Sequence, residues 1–120
     1  MIRRRSDKNK SIVREEVSLG EKLFYSRGQR SEISGKFLGH DYSHVFASHL
    51  HTKAAMPALR LVSKNIVLMT FEEHQMWEFE RHKLYNLPEW EWVFKLFALL
   101  KQDYYAGKYG KTTSVRRNIF

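Results

Sequence analysis

The fold is decided by residues 65–78, which read Asn65-Ile-Val-Leu-Met-Thr70-Phe-Glu-Glu73-His74-Gln-Met-Trp77-Glu78. Ile66 to Met69 is an unbroken apolar run. It has the length of a buried strand and is too short for a buried helix. Thr70 then has the character of a helix N-cap, and Thr-Phe-Glu-Glu is a capping box. Its hydroxyl oxygen accepts from the third helical amide, and the Glu73 carboxylate reaches back to the cap amide. A strand followed at once by a capped helix, from Phe71 to about Tyr85, is the predicted nucleus.

Working upstream, Tyr42 to Ala47 reads as a second short strand. Ser48 to Ser63 reads mostly as a loop, with a helical turn around Pro57 between Lys53 and Leu61. The stretch SRGQRSEISGKFLGHD, residues 26–41, is turn-rich, and Gly28, Gly35 and Gly39 allow left-handed backbone there. Ile12 to Tyr25 has the apolar positions of a short helix, interrupted by Gly20. Residues 1–11 are polar and read as flexible. Downstream, Pro88 suits the first turn of another helix, where its missing amide is no loss. That helix carries an apolar stripe of Trp90, Val93, Phe94, Phe97, Leu100 and Tyr104, and Gly107 is a natural stop. The predicted class is α+β: two strands and a helix, then a packed C-terminal helix. The division is a basic arm (1–19), the strand–helix domain (20–86), the packed helix (87–107) and a basic tail (108–120).

The net charge of +8 points to a polyanionic partner, with nucleic acid first. Residues 1–22 hold seven Lys/Arg against four acids, and residues 101–120 hold five against one. Arg3, Arg4 and Arg5 at one end, and Lys108, Lys111, Arg116 and Arg117 at the other, read as phosphate contacts. They carry no base-reading pattern. No apolar run approaches membrane-spanning length, and none follows the basic start as in a secretory signal. The expected location is therefore cytoplasmic or nucleoid-associated, with no membrane partner. The absence of cysteine removes disulfides and thiolate metal sites, leaving imidazole and oxygen as ligands.

His44, Asn65 and His74 follow one another at steps of 21 and 9 residues. With SEISGK, DYSHVF, LRLVSKNIVLM and TFEEHQMWE, covering roughly residues 29–80, the chain resembles the HNH, or ββα-metal, endonucleases. The resemblance implies His44 as general base, Asn65 as loop organiser and His74 as metal ligand. It implies one divalent ion, with magnesium or manganese favoured over zinc, and DNA as substrate. Many members hold a structural zinc with two cysteine pairs. Here Ser31 and Ser34 stand at the first pair, and Thr70 and Glu73 at the second, which implies a knuckle closed by ordinary bonds and no structural zinc.

The residue before the base is commonly a metal-binding Asp or His in that family; here it is Ser43. On a strand Asp41 would face the same side, which makes it the alternative ligand. Glu78, one turn after His74, is placed to orient the other ring nitrogen. Arg60 is a phosphate clamp or a structural ion pair. Trp77 and Trp90 read as core, and Trp92 as exposed. His49, His51 and His82 read as loop or surface. The implied activity is metal-dependent hydrolysis of DNA phosphodiesters, by a monomer that nicks or by two copies or two successive events that cut both strands or branched DNA, with a homodimer as the expected form of the pair. The competing reading is a non-catalytic DNA-binding or assembly protein on a degenerate scaffold.

Overall fold

The computed structural model describes residues 7–110. In chain order the elements are α1 (Asp7–Ser26), β1 (Ala47–His49), β2 (Ile66–Leu68), α2 (Phe71–Phe79) and α3 (Glu91–Tyr105), with short 3-10 turns between them. The class is α+β, and β1 and β2 form one antiparallel sheet. Six strand residues cannot stand alone in water, so the hairpin persists only by packing on both faces.

The register shows how. Ala47 pairs with Leu68, Ser48 with Val67 and His49 with Ile66. Alternation sends Ser48, Leu50, Val67 and Met69 to one face. There Leu50, Val67 and Met69 join Leu59, Trp77, Trp90, Val93 and Leu100 in the main core. Leu68 faces the other way and packs with Phe24 of α1, Leu38, Tyr42 and Phe46. Ala47, His49 and Ile66 share that second face.

The outer edge of β2 is covered without a third strand. The Glu32 amide donates to the Leu68 carbonyl, and the Glu32 carboxylate accepts the Leu68 amide at 2.8 Å. Arg27 closes the row by donating to the Ile66 carbonyl at 2.6 Å and to Glu32. Two side chains thus satisfy backbone groups that an open edge would leave to water.

Several expectations need correction. Residues 41–43 are not strand, and His44–Phe46 is a 3-10 turn closed by the Phe46 amide on the Ser43 carbonyl. The turn lets Phe46 stack on Phe24, which a continuous strand would not. α2 stops at Phe79, because Glu80 leaves the helical region and Arg81 folds back to donate to the Trp77 carbonyl. Arg81 also lies over the Trp77 ring, and the following 3-10 turn buries Leu84. At the N-terminal side the helix begins at Asp7 and runs through residue 19, where an arm was expected to end.

The capping box forms as read. Thr70 accepts from the Glu73 amide, and Glu73 accepts from the Thr70 amide. The Ser31 hydroxyl donates to the same Glu73 oxygen at 2.6 Å and accepts from the amides of Ile33 and Ser34. The four positions at which the resemblance puts zinc cysteines are therefore joined by hydrogen bonds.

Candidate functional site

A cleft of about 340 Å³ lies on the second face of the sheet. Its floor is Ala47, His49 and Ile66. One wall is α1, through Val13, Glu16, Val17 and Gly20; the other is α2, through His74 and Glu78. Tyr42 and His44 close one part of the rim, and Thr52 and Lys53 another. His44 and His74, 30 positions apart in the chain, line this one cavity.

A single hydrogen bond explains the meeting. His74 Nδ1–H donates to the Val45 carbonyl at 2.8 Å, and Val45 sits in the 3-10 turn that presents His44. A carbonyl only accepts, so the proton is on Nδ1. In the neutral ring Nε2 then keeps its lone pair toward the cleft. Glu78 Oε1 lies 3.5 Å from that Nε2. Glu78 therefore stands beside the nitrogen that is left unprotonated, and the Val45 carbonyl takes the orienting role that the sequence reading gave to Glu78.

Asn65 is fully buried, at 0 % exposure. Its Oδ1 accepts the His51 amide, and its Nδ2 donates to the carbonyls of His51 and Leu59. It ties together the two ends of the loop between the strands. The contacts fall at His51 and Leu59, not at the turn that carries His44.

Asp41 does not join the cavity. It is exposed and absent from the cleft lining, because the strand that would have aligned it with Ser43 does not form. Arg60 is engaged rather than free: Nη2 holds Glu16 Oε1 at 2.8 Å. Lys108 is exposed and pairs with Asp103 at 3.2 Å. Arg3, Arg4, Arg5, Lys111, Arg116 and Arg117 lie outside the described residues.

Glu16, missed in the sequence, is the most connected acid of the cleft. Its Oε1 also lies 4.0 Å from Lys53 Nζ, and its Oε2 lies 3.8 Å from His49 Nε2. Burial alone would raise its pKa; the Arg60 hydrogen bond and charge, with Lys53 and His49, overcome that and hold it below the ordinary carboxylate value. The signal was legible in Val13, Val17, Gly20 and Phe24, a stripe at helical spacing that fixes which face of α1 meets the body. Gly20 allows the close approach, since a Cβ there would collide with the Tyr42 hydroxyl.

His49 and His51 part company. His49 Nε2–H donates to the Arg60 carbonyl at 3.1 Å on the cleft side. His51 is buried, stacks on Phe97 and donates to the Phe97 carbonyl at 2.7 Å. Trp77 and Trp90 are core and stack on each other, while Trp92 and His82 are exposed. Among the described residues no group of three or more His, Cys, Asp or Glu side chains is arranged to hold a metal ion, and no helix is long and apolar enough to cross a membrane. No protein-family model, curated protein or solved structure matches this chain.

Proposed function

We propose that this chain is a divalent-metal-dependent endonuclease of the HNH type that hydrolyses DNA phosphodiester bonds. The observation that carries the reading is the His74–Val45 hydrogen bond, which joins the helix of one histidine to the turn of the other over a shared cleft. The order of elements supports it: a hairpin, an asparagine tying its loop, then a capped helix bearing His74. The basic ends suit a phosphate polymer.

His74 Nε2 and Glu78 Oε1, 3.5 Å apart, are a donor pair that fits a hard divalent cation. Such an ion draws its other ligands from water and substrate phosphate, so a third protein ligand is not required. When bound, the ion would supply charge stabilisation at the phosphate oxygens.

The protein's own steps follow from the cleft. His44 is exposed on the rim, where its imidazole can take a proton from water as the water oxygen bonds to phosphorus. The bond from phosphorus to the 3′ oxygen breaks, and that oxygen takes a proton from solvent. The products are a 5′-phosphate and a 3′-hydroxyl. The Val45 carbonyl keeps the His74 ring in one tautomer and orientation.

The test is nicking of supercoiled plasmid across magnesium, manganese and zinc. His44→Ala should lose about 10²–10⁴-fold in rate, the range of a general base. His74→Ala should lower the apparent metal affinity, with binding to uncleaved DNA retained. Undiminished cleavage by a folded His44→Ala protein would reject the mechanism. Salt-sensitive DNA binding with no cutting under any metal would favour the non-catalytic alternative.

A further inference from the structure

Arg60 and Lys53, from the connection between the strands, and His49, from the end of β1, surround one carboxylate of α1. Arg60 Nη2 lies 2.8 Å from Glu16 Oε1, Lys53 Nζ lies 4.0 Å from the same oxygen, and His49 Nε2 lies 3.8 Å from Oε2. A guanidinium and an ammonium around one anion, beside an imidazole whose Nε2–H is held by the Arg60 carbonyl, are a cationic set suited to a backbone phosphate. Arg60 is also incompletely used: its Nε is buried and has no hydrogen-bond partner among the described residues. Glu16, His49 and Lys53 line the cleft that holds His44 and His74.

We infer that Arg60 and Lys53 form a phosphodiester subsite beside the reacting centre, with His49 bracing Arg60, and that Glu16 occupies it as an internal phosphate mimic. An entering strand displaces the carboxylate, and Arg60 and Lys53 then hold the phosphate flanking the one to be cut. A tethered carboxylate competes at an effective concentration in the millimolar range, so weakly bound anions are refused and a multivalent strand is admitted. The subsite stands on these distances; that its ligand is a nucleic-acid strand rests on the proposed function.

The test measures binding and needs no cleavage. A fluorescent single-stranded oligodeoxynucleotide is titrated, without metal, into the full chain in a His44→Ala background. Glu16→Gln should bind it about tenfold tighter, with a salt slope steeper by about one phosphate contact. Adding Arg60→Gln to Glu16→Gln should abolish the gain. Equal or weaker binding by a folded Glu16→Gln protein would overturn the mimic.

If Glu16→Gln fails to fold, the parent chain still decides. The Arg60 Nε–H and Glu16 carboxyl resonances should both shift on saturation with the oligonucleotide, and unmoved resonances would overturn the proposal. Full competition by inorganic phosphate at equal phosphate concentration would overturn the strand as ligand and leave a free-phosphate site. An affinity gain without cleavage by any metal-loaded form would sink the nuclease reading and keep the subsite.

Discussion

At the residue scale, His49, His51 and His74 differ in what their ring nitrogens touch. His51 is the structural one. Burial pushes its pKa below the ordinary 6.5, the Phe97 carbonyl opposes this, and Arg81 and Lys101 add to the lowering. The unfolded chain therefore takes up the proton first. Stability from this group is complete above pH 6.5 and is lost as pH falls from there through the lower folded value. Each unit of difference is worth about 1.4 kcal/mol. His51→Gln, which keeps an N–H for the Phe97 carbonyl, should flatten the fall in urea midpoint below pH 6.5 relative to the parent. Parallel pH profiles would show that His51 is not the titrating group. Asn65 and His74 were named from the spacing that carries the family resemblance, whereas their partners His51 and Val45 lie 14 and 29 positions away and only the fold shows them. For Arg60 the ion-pair alternative was readable, but not its partner Glu16, 44 positions away.

At the element scale, the start of α2 is specified locally and its end is not. The capping box needs only Thr70 and Glu73, and the motif was readable without any tertiary knowledge. Thr70→Ala should destabilise by about 1 kcal/mol in urea unfolding. Glu73→Ala should cost more, about 1–3 kcal/mol, because it also strands the buried Ser31 hydroxyl. Ser31→Ala should reduce that penalty in a double-mutant cycle, and strict additivity would show that the Ser31–Glu73 bond contributes nothing. The break at Glu80 has no local signal. It follows from Arg81 stacking on Trp77 and from the burial of Leu84. The strand expected over Tyr42 to Ala47 is cut short by the turn at His44–Phe46, which seats Phe46 against Phe24 of α1, a contact between distant segments.

At the scale of the whole molecule, α1 turns a hairpin and helix into a walled cleft. Its docking rests on Phe24 in the core, Glu16 on Arg60, and Gly20 under Tyr42. Gly20→Ala in an undocked helix would stabilise by up to about 1 kcal/mol. Here the added methyl meets the Tyr42 hydroxyl, so a net loss of about 1–2 kcal/mol is expected, read as a lower urea midpoint. A gain would mean that α1 does not hold this position. Sequence alone determined the α+β class, the capped helix and the apolar stripe of α3. Those features arise from periodicity, turn chemistry and contacts within a few positions, which the chain states directly. Only the folded molecule decided that Glu16 faces Arg60, that Glu78 stands beside His74 Nε2, and that Asp41 is left outside. Charge pairing across long stretches of chain depends on which helix face is buried, and that choice is made by the core as a whole.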